Sequence, residues 1–364
     1  MKQKSALILT KYENITGDCT DRFNAGDFSI ASLKLQVKPL TKALAKLGFN
    51  YKLISLSTSE PASLDLIGSP DIVIVSKLNC HKYNQHDMAM SNLAALARLK
   101  CQKIPIATIY SDNLADVDKF PTGEFHRNLL SMTDIIICPS KKLAQLAQNH
   151  NTNAKLFIIK DPWQVRDEIP FKKISNKSDV NLIWFGQPSN IQFLLREIPK
   201  ITQVNSDSTN IMLSILSEKK AVERTKEQLE KYTWPQGWSF RYVHWNIDNQ
   251  PDQLERELRH SHISLIPSDP RMERKAGVSH NRIIDSLRSG CVPIASPMES
   301  YIELKEMAVI TNDFKESLVF VLNNYNFIAS KIQNKRSEGL TDFSPEKNIE
   351  KWEKAVSFFH KSMT

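Results

Sequence analysis

The stretch Ile263-Ser264-Leu265-Ile266-Pro267-Ser268-Asp269-Pro270-Arg271-Met272-Glu273-Arg274-Lys275-Ala276-Gly277-Val278-Ser279-His280-Asn281-Arg282-Ile283-Ile284-Asp285-Ser286-Leu287-Arg288-Ser289-Gly290-Cys291-Val292-Pro293-Ile294-Ala295 decides the fold of this chain. Short apolar runs open and close it, and a basic loop and a helical stripe on Ile283, Ile284 and Leu287 lie between them. Two buried strands joined through a helix are the unit of a parallel sheet. Ser279 is expected to cap the helix, and Gly290 to end it in the left-handed conformation.

The same alternation runs outward in both directions. Upstream, residues 180–185 form an apolar strand that ends in Gly186, and 211–216 and 240–243 follow as further strands. Earlier still, 6–9, 51–56, 72–75, 104–109 and 135–137 read as strands, with an amphipathic helix on Leu33, Leu40, Leu44 and Leu47 stopped by Gly48. Pro139-Ser140 opens another helix. The expected class is therefore α/β, with two Rossmann-like, doubly wound domains facing each other across a cleft.

A length of 364 residues also requires two cores, because one apolar core rarely grows beyond about 250–300 residues. Periodicity lapses between Asp161 and Asp179, where Pro162, Pro170, Lys172, Lys173, Asn176 and Lys177 mark a linker. The expected domains are 1–165 and 178–340, followed by a segment 341–364. In that segment Ser344-Pro345-Glu346 starts a helix with Ile349, Trp352, Val356 and Phe359 on one face. The helix either packs as an ordinary core element or crosses back to brace the first domain.

Composition narrows the function. With 41% hydrophobic and 24% charged residues, the chain is neither disordered nor collagen-like. No run approaches the roughly 18–20 apolar residues of a membrane span, and residues 5–9 are too short for a signal-peptide core, so a cytoplasmic chain is expected. Five cysteines, Cys19, Cys80, Cys101, Cys138 and Cys291, are odd in number and far apart, which points away from disulfides and thiolate zinc. The histidines show no metal-binding spacing, so no metal and no cofactor are expected. Lys plus Arg exceed Asp plus Glu by 48 to 40, a formal charge of +8 that suits phosphate-bearing ligands, an anionic membrane or nucleic acid.

The candidate chemistry gathers where strands run into loops, because ligands of open parallel sheets bind beyond the carboxyl ends of the strands. Arg274, Lys275 and Arg282 crowd the start of a helix whose dipole is already positive there, a conflict that an anion resolves. Free amides at Ser279, His280 and Asn281 together with those cations make a diphosphate site; a solvated basic loop paired with Glu273 and Asp285 is the other reading. Gly186 is placed for close approach of a ligand, or is a plain strand-to-helix turn. Among Trp234, Trp238, Tyr242 and Trp245, only Trp245 follows a strand and is held as a base or sugar contact. Ser296, Glu299, Ser300 and Tyr301, in the loop after 292–295, are candidates for the donor sugar. Asp27 and Asp112 are candidates for a general base, each equally readable as a helix cap. His126 and His280 are also possible, though a lone histidine more often has a structural role.

The block from Leu265 to Ser296 resembles the nucleotide-sugar-binding segment of GT-B glycosyltransferases, in particular the large group that builds bacterial surface polysaccharides. Trp184-Phe185-Gly186 resembles the opening of their second domain, and Thr133 to Ser140 their segment before the linker. The resemblance implies transfer of a sugar from a nucleotide-sugar donor to a glycan or lipid-linked acceptor, with the donor in the second domain and the acceptor in the first. It assigns the donor ribose to Asp285 and the diphosphate to Arg274 or Lys275. One departure is visible: two glutamates separated by seven residues are common in the retaining members, whereas Gly277 and Asp285 occupy those positions here. The basic surface, including Lys172, Lys173 and Lys177, is compatible with a peripheral contact to an anionic membrane. Rival readings are a nucleotide-sugar epimerase on the same plan and a non-catalytic nucleic-acid-binding protein. The latter is disfavoured because the cations concentrate at one helix start and no recognition-helix, RRM-like or OB-like pattern occurs.

Overall fold

The structure, a computed structural model, describes residues 4–10, 17–26, 31–56, 69–76, 86–117, 122–175, 179–204, 210–246 and 252–361. The chain divides into two units. The first comprises Met1–Pro162, Met272–Ser279 and Ser344–Thr364, and the second Trp163–Arg271 and His280–Phe343. Among the described residues no helix is long and apolar enough to cross a membrane.

Among the described residues the first unit is built on seven strands: β1 (Lys4–Thr10), β2 (Gly17–Asp18), β3 (Phe49–Ser55), β4 (Ile72–Ser76), β5 (Ile106–Ile109), β6 (Ile135–Cys138) and β7 (Lys155–Ile158). They lie in the order β2-β3-β1-β4-β5-β6-β7, all parallel except β2. Its helices are α1 (Thr20–Asn24), α2 (Lys38–Lys46), α3 (His86–Cys101), α4 (Thr122–Met132) and α5 (Lys141–Gln148), and a π-helical turn, Leu33–Val37, leads into α2. Alternate residues of each strand feed opposite cores. Ala6, Ile8, Leu53, Ile72 and Ile74 meet Leu33, Val37 and Leu40 on one face, while Leu7, Leu9, Val73 and Val75 meet Leu93, Leu96 and Leu129 on the other. Ser140 caps α5 as its sequence implies, accepting from the Leu143 amide at 3.2 Å, and its hydroxyl donates to the Gly277 carbonyl at 2.7 Å.

Among the described residues the second unit carries six parallel strands: β8 (Val180–Phe185), β9 (Ile211–Ser217), β10 (Trp238–His244), β11 (Ile263–Ile266), β12 (Val292–Ala295) and β13 (Val309–Ile310). Their order is β10-β9-β8-β11-β12-β13. Helices α6 (Ile191–Ile201), α7 (Lys219–Leu229), α8 (Asp252–His260), α9 (Asn281–Arg288) and α10 (Phe314–Leu340) connect and cover them. The last helix, α11 (Pro345–Lys361), belongs to the first unit. Ser344 caps it, accepting from the Lys347 amide at 3.0 Å, and Trp352, Ala355, Val356 and Phe359 enter the core shared with α2. Large apolar side chains on one stripe of a helix need a groove, and α2 with the β1 face provides it.

The stretch expected as a linker is fastened down from its third residue. The Ile169 amide donates to the Arg288 carbonyl at 2.8 Å, and Arg288 reaches back to the Val165 carbonyl at 2.9 Å. Residues 176–178 of that stretch lie outside the described residues. Gly290 ends α9 at φ +70, and a β-carbon there would stand 2.5 Å from the Pro170 carbonyl oxygen. Two requirements therefore meet at one position, whereas Gly48, at φ +77 with nothing nearby, answers only the first. Accordingly, Gly290→Ala is expected to destabilise by about 2–4 kcal/mol and Gly48→Ala by about 1 kcal/mol, read as the shift in urea midpoint at constant slope.

Candidate functional site

The carboxyl edge of the second sheet is a set of loops tied to one another. Ser217, the last residue of β9, donates its hydroxyl to the Gly186 carbonyl at 2.8 Å. Ser296, just past β12, accepts from the Ser268 amide at 2.8 Å and donates to the Ser268 carbonyl at 2.9 Å. These serines satisfy backbone groups that the end of a parallel ladder leaves open. Trp245 donates its amide to the Ser217 carbonyl at 2.8 Å and packs its ring on the core of Phe185, Leu216 and Leu254.

Arg282, in the first turn of α9, stands over this edge. Its Nη1 would be 3.8 Å from a β-carbon at Gly186, and its Nη2 donates to the Tyr301 hydroxyl at 3.5 Å. Nη1 is buried with no hydrogen-bond partner, and the side chain makes no ion pair among the described residues. A guanidinium with a buried, unsatisfied arm is costly, and at a helix start it adds to a local positive potential. The combination fits an anion seated against Arg282 and the first amides of α9. His280 is the cap residue but offers no side-chain cap. Its ring is buried, with Nε2–H donating to the Ser300 carbonyl at 2.8 Å and the ring lying edge-on to Phe343 at 5.4 Å.

Several expectations need correction against these placements. Ser279 does not cap α9: the helix begins at Asn281, whose own side chain accepts from the Arg282 amide at 2.8 Å. Arg274 and Lys275 form a short 3-10 turn, Glu273–Lys275, in the segment that belongs to the first unit, and Arg274 is exposed. Asp285, expected at the donor ribose, is fully buried, and its two oxygens accept from the Gln164 amide at 2.8 Å and side chain at 3.0 Å. Ser296 has both hydroxyl bonds committed, Ser300 is fully buried, and Tyr301 is 1% exposed, so of the donor-sugar candidates only Glu299 is exposed. Trp234 and Trp238 donate their ring N–H groups to the Leu229 and Val204 carbonyls and serve the fold.

In the first unit, Asp112 lies in the turn just past β5, half-buried, and its carboxylate has no partner among the described residues. Among the described residues it caps no helix, and the next one begins at Thr122. Its turn is braced by Tyr110, whose hydroxyl accepts from the Ala115 amide at 2.8 Å and donates to Asn113 at 3.2 Å. Asp27 lies outside the described residues. His126 is buried against the rings of Phe125 and Tyr110. Sequence reasoning missed Gln164 and Arg336 altogether, because a partner more than a hundred residues away leaves no local signal.

No family model matches the sequence, and no curated protein matches it. Solved structures do match. HepE from Anabaena, in complex with UDP and glucose, superposes with a TM-score of 0.59 at 11% identity, over 97% of this chain and 99% of HepE. MnaA from S. aureus, in complex with UDP, gives 0.54 at 10% identity over 95% and 94%. TarM gives 0.55 at 11% over 79% of this chain, which spans about half, 54%, of TarM. At such identities the likeness establishes architecture, and the architecture is the GT-B fold of glycosyltransferases.

Burial lifts the Asp285 carboxyl from 3.8 to about 6, against the lowering pull of its hydrogen bonds from Gln164. The folded state thus holds the proton more tightly than the unfolded chain, and the stability this group contributes is full below about pH 4 and lost as pH rises through about 6. A shift of that size corresponds to about 3 kcal/mol. Asp285→Asn, which keeps the shape without the charge, is expected to melt higher than the wild type at pH 7.5. In thermal scans the advantage should shrink by about 5 °C or more at pH 4.

Proposed function

We propose that this chain is a glycosyltransferase that moves a sugar from a nucleoside diphosphate sugar to a glycan or lipid-linked acceptor in the assembly of bacterial surface polysaccharide. The observation that carries the reading is Arg282, a half-buried cation with an unsatisfied arm at the carboxyl edge of a parallel sheet and at a helix start. Departure of a nucleoside diphosphate develops negative charge, and preorganised donors aimed at that charge lower the barrier. Arg282 and the first amides of α9 are assigned that task. Arg274 and Lys275 remain candidates for further phosphate contacts. UDP is the first nucleotide to test, because HepE and MnaA hold it in the same fold.

On the acceptor side, Asp112 is assigned to the first unit's chemistry. If the reaction inverts the sugar, its unpartnered carboxylate takes the acceptor hydroxyl's proton as that oxygen attacks; in a retaining reaction the leaving phosphate takes it. The +8 charge and the cytoplasmic expectation fit an enzyme that touches an anionic membrane from the inner face.

The reading is checked by titrating UDP, GDP, ADP and TDP into the wild type and Arg282→Ala by calorimetry. One nucleotide is expected to bind, and the variant to bind it about 10- to 100-fold more weakly, the loss of one or two charge-assisted hydrogen bonds. Arg282→Lys should recover only part, because an ammonium lacks the planar fork. Absence of binding by all four nucleotides would overturn the reading.

A further inference from the structure

Helix α10 carries two phenylalanines that the fold leaves uncovered. Phe327 is 73% exposed and Phe320 54%, and neither ring meets another ring or a cation among the described residues. Other exposed aromatics have such company: Tyr232 lies 5.5 Å from Trp234, and Phe358 has Phe157 at 5.8 Å and the Lys155 ammonium over it at 5.7 Å. Single exposed apolar side chains are ordinary, but two in register on one helix face form a patch that marks an interaction site.

The stripe of α10 that faces the second unit is Phe314, Leu318, Val321, Tyr325, Ile328 and Ile332, all buried. The opposite stripe, Glu316, Phe320, Asn323, Asn324, Phe327 and Lys331, is exposed at every position. Asn324 kinks the helix midway, its side-chain amide donating to the Phe320 carbonyl at 2.9 Å, and both stripes keep their phase across it.

This exposed stripe has the same layout from either end. Glu316 stands one turn before Phe320, Lys331 one turn after Phe327, and the two asparagines lie at the centre. A second copy turned end over end about a point between Asn323 and Asn324 sets Phe320 against Phe327 and Glu316 against Lys331, each twice, as a closed twofold interface requires. The phenylalanines, two turns or about 10 Å apart, recur at the seven-residue spacing of a helix–helix seam. Glu316 and Lys331 form no ion pair among the described residues, whereas Lys335, one turn on, is paired with Glu306 at 2.5 Å. A parallel pairing would put Glu316 on Glu316 and Lys331 on Lys331. An anionic bilayer would accept the rings but repel Glu316 beside them.

We propose that the exposed face of α10 docks a second copy of this chain, as an antiparallel helix pair about a twofold axis between Asn323 and Asn324. The proposal concerns this helix alone and holds whether or not a nucleotide binds. Two phenylalanines from each copy form an aromatic centre, and two Glu316–Lys331 pairs form a polar rim that fixes the direction of pairing. One helix face about four turns long is a small interface, so the dimer is reversible, with a dissociation constant of about 1–100 µM.

Sedimentation velocity of the full chain from about 1 to 500 µM tests this, and the wild type is expected to pass reversibly from monomer to dimer. Phe327→Ser removes a side chain that supports nothing inside the fold. It should weaken dimerisation at least tenfold while the melting temperature, taken at a concentration where both proteins are monomers, holds within about 1 °C. Glu316→Lys and Lys331→Glu each bring like charges together across the axis, and each should weaken the dimer about three- to tenfold. The double variant carrying both reversals restores opposite charges and should recover to within about twofold of the wild type. A monomer at every concentration, a dimer indifferent to Phe327→Ser or to the single reversals, or a double variant as weak as either single one would overturn the proposal. So would pelleting of the wild type, lost in Phe327→Ser, with vesicles of phosphatidylglycerol and phosphatidylcholine, which would assign the face to a lipid surface.

Discussion

Hydrogen bonds buried around α9 hold the second unit's edge in place. Asp285 grips Gln164 by backbone and side chain, and Arg288 donates to the carbonyls of Val165 and Arg166 while its guanidinium lies 4.1 Å from the Trp163 ring centroid. Arg336, 2% exposed, donates to Ile169 and Leu287 and pairs with Glu168 at 2.8 Å. Removing one partner from such a group leaves another buried and unpaired, which is why these contacts act together. The stretch from Trp163 to Pro170 is thereby bound to the C-terminal half of the helix, and the helix start that bears Arg282 is fixed with it.

Parallel sheets leave their last row of carbonyls and amides without ladder partners, and this chain answers that need differently in its two units. In the second, Ser217 and Ser296 bond to backbone at 2.8–2.9 Å and make the edge rigid. In the first, Thr10 and Ser76 stand in corresponding last-row positions with hydroxyls that bond to nothing among the described residues. The same residue types thus bond to backbone on one edge and stand buried without a hydrogen-bond partner, among the described residues, on the other. Side-chain chemistry is shared between them; satisfaction is what separates them.

Much of the fold was legible because apolar runs bounded by turn residues report burial directly. The strand at Val180–Phe185 and the one at Val292–Ala295 were read to the residue, Pro139-Ser140 was read as a helix start, and Ser344 as the opening of the last helix. Short β2 and β13 were not, since two residues carry no period. The start of α9 was misread because Ser279 has the chemistry of a cap, while the observed first residue is set by where His280 is anchored, on Ser300 and Phe343.

By itself the sequence determined the alternation of strand and helix, the need for two cores, and the placement of a basic loop and helix start after β11, all of which follow from local periodicity and charge. Tertiary structure decided which of those polar residues face inward. Asp285 and Arg336 lie in stretches whose composition does not tell ligand from scaffold. Their partners, Gln164, Glu168 and Ile169, are more than a hundred residues away, and only the folding of distant segments against one another determines whether a polar group meets protein or is left open for a ligand.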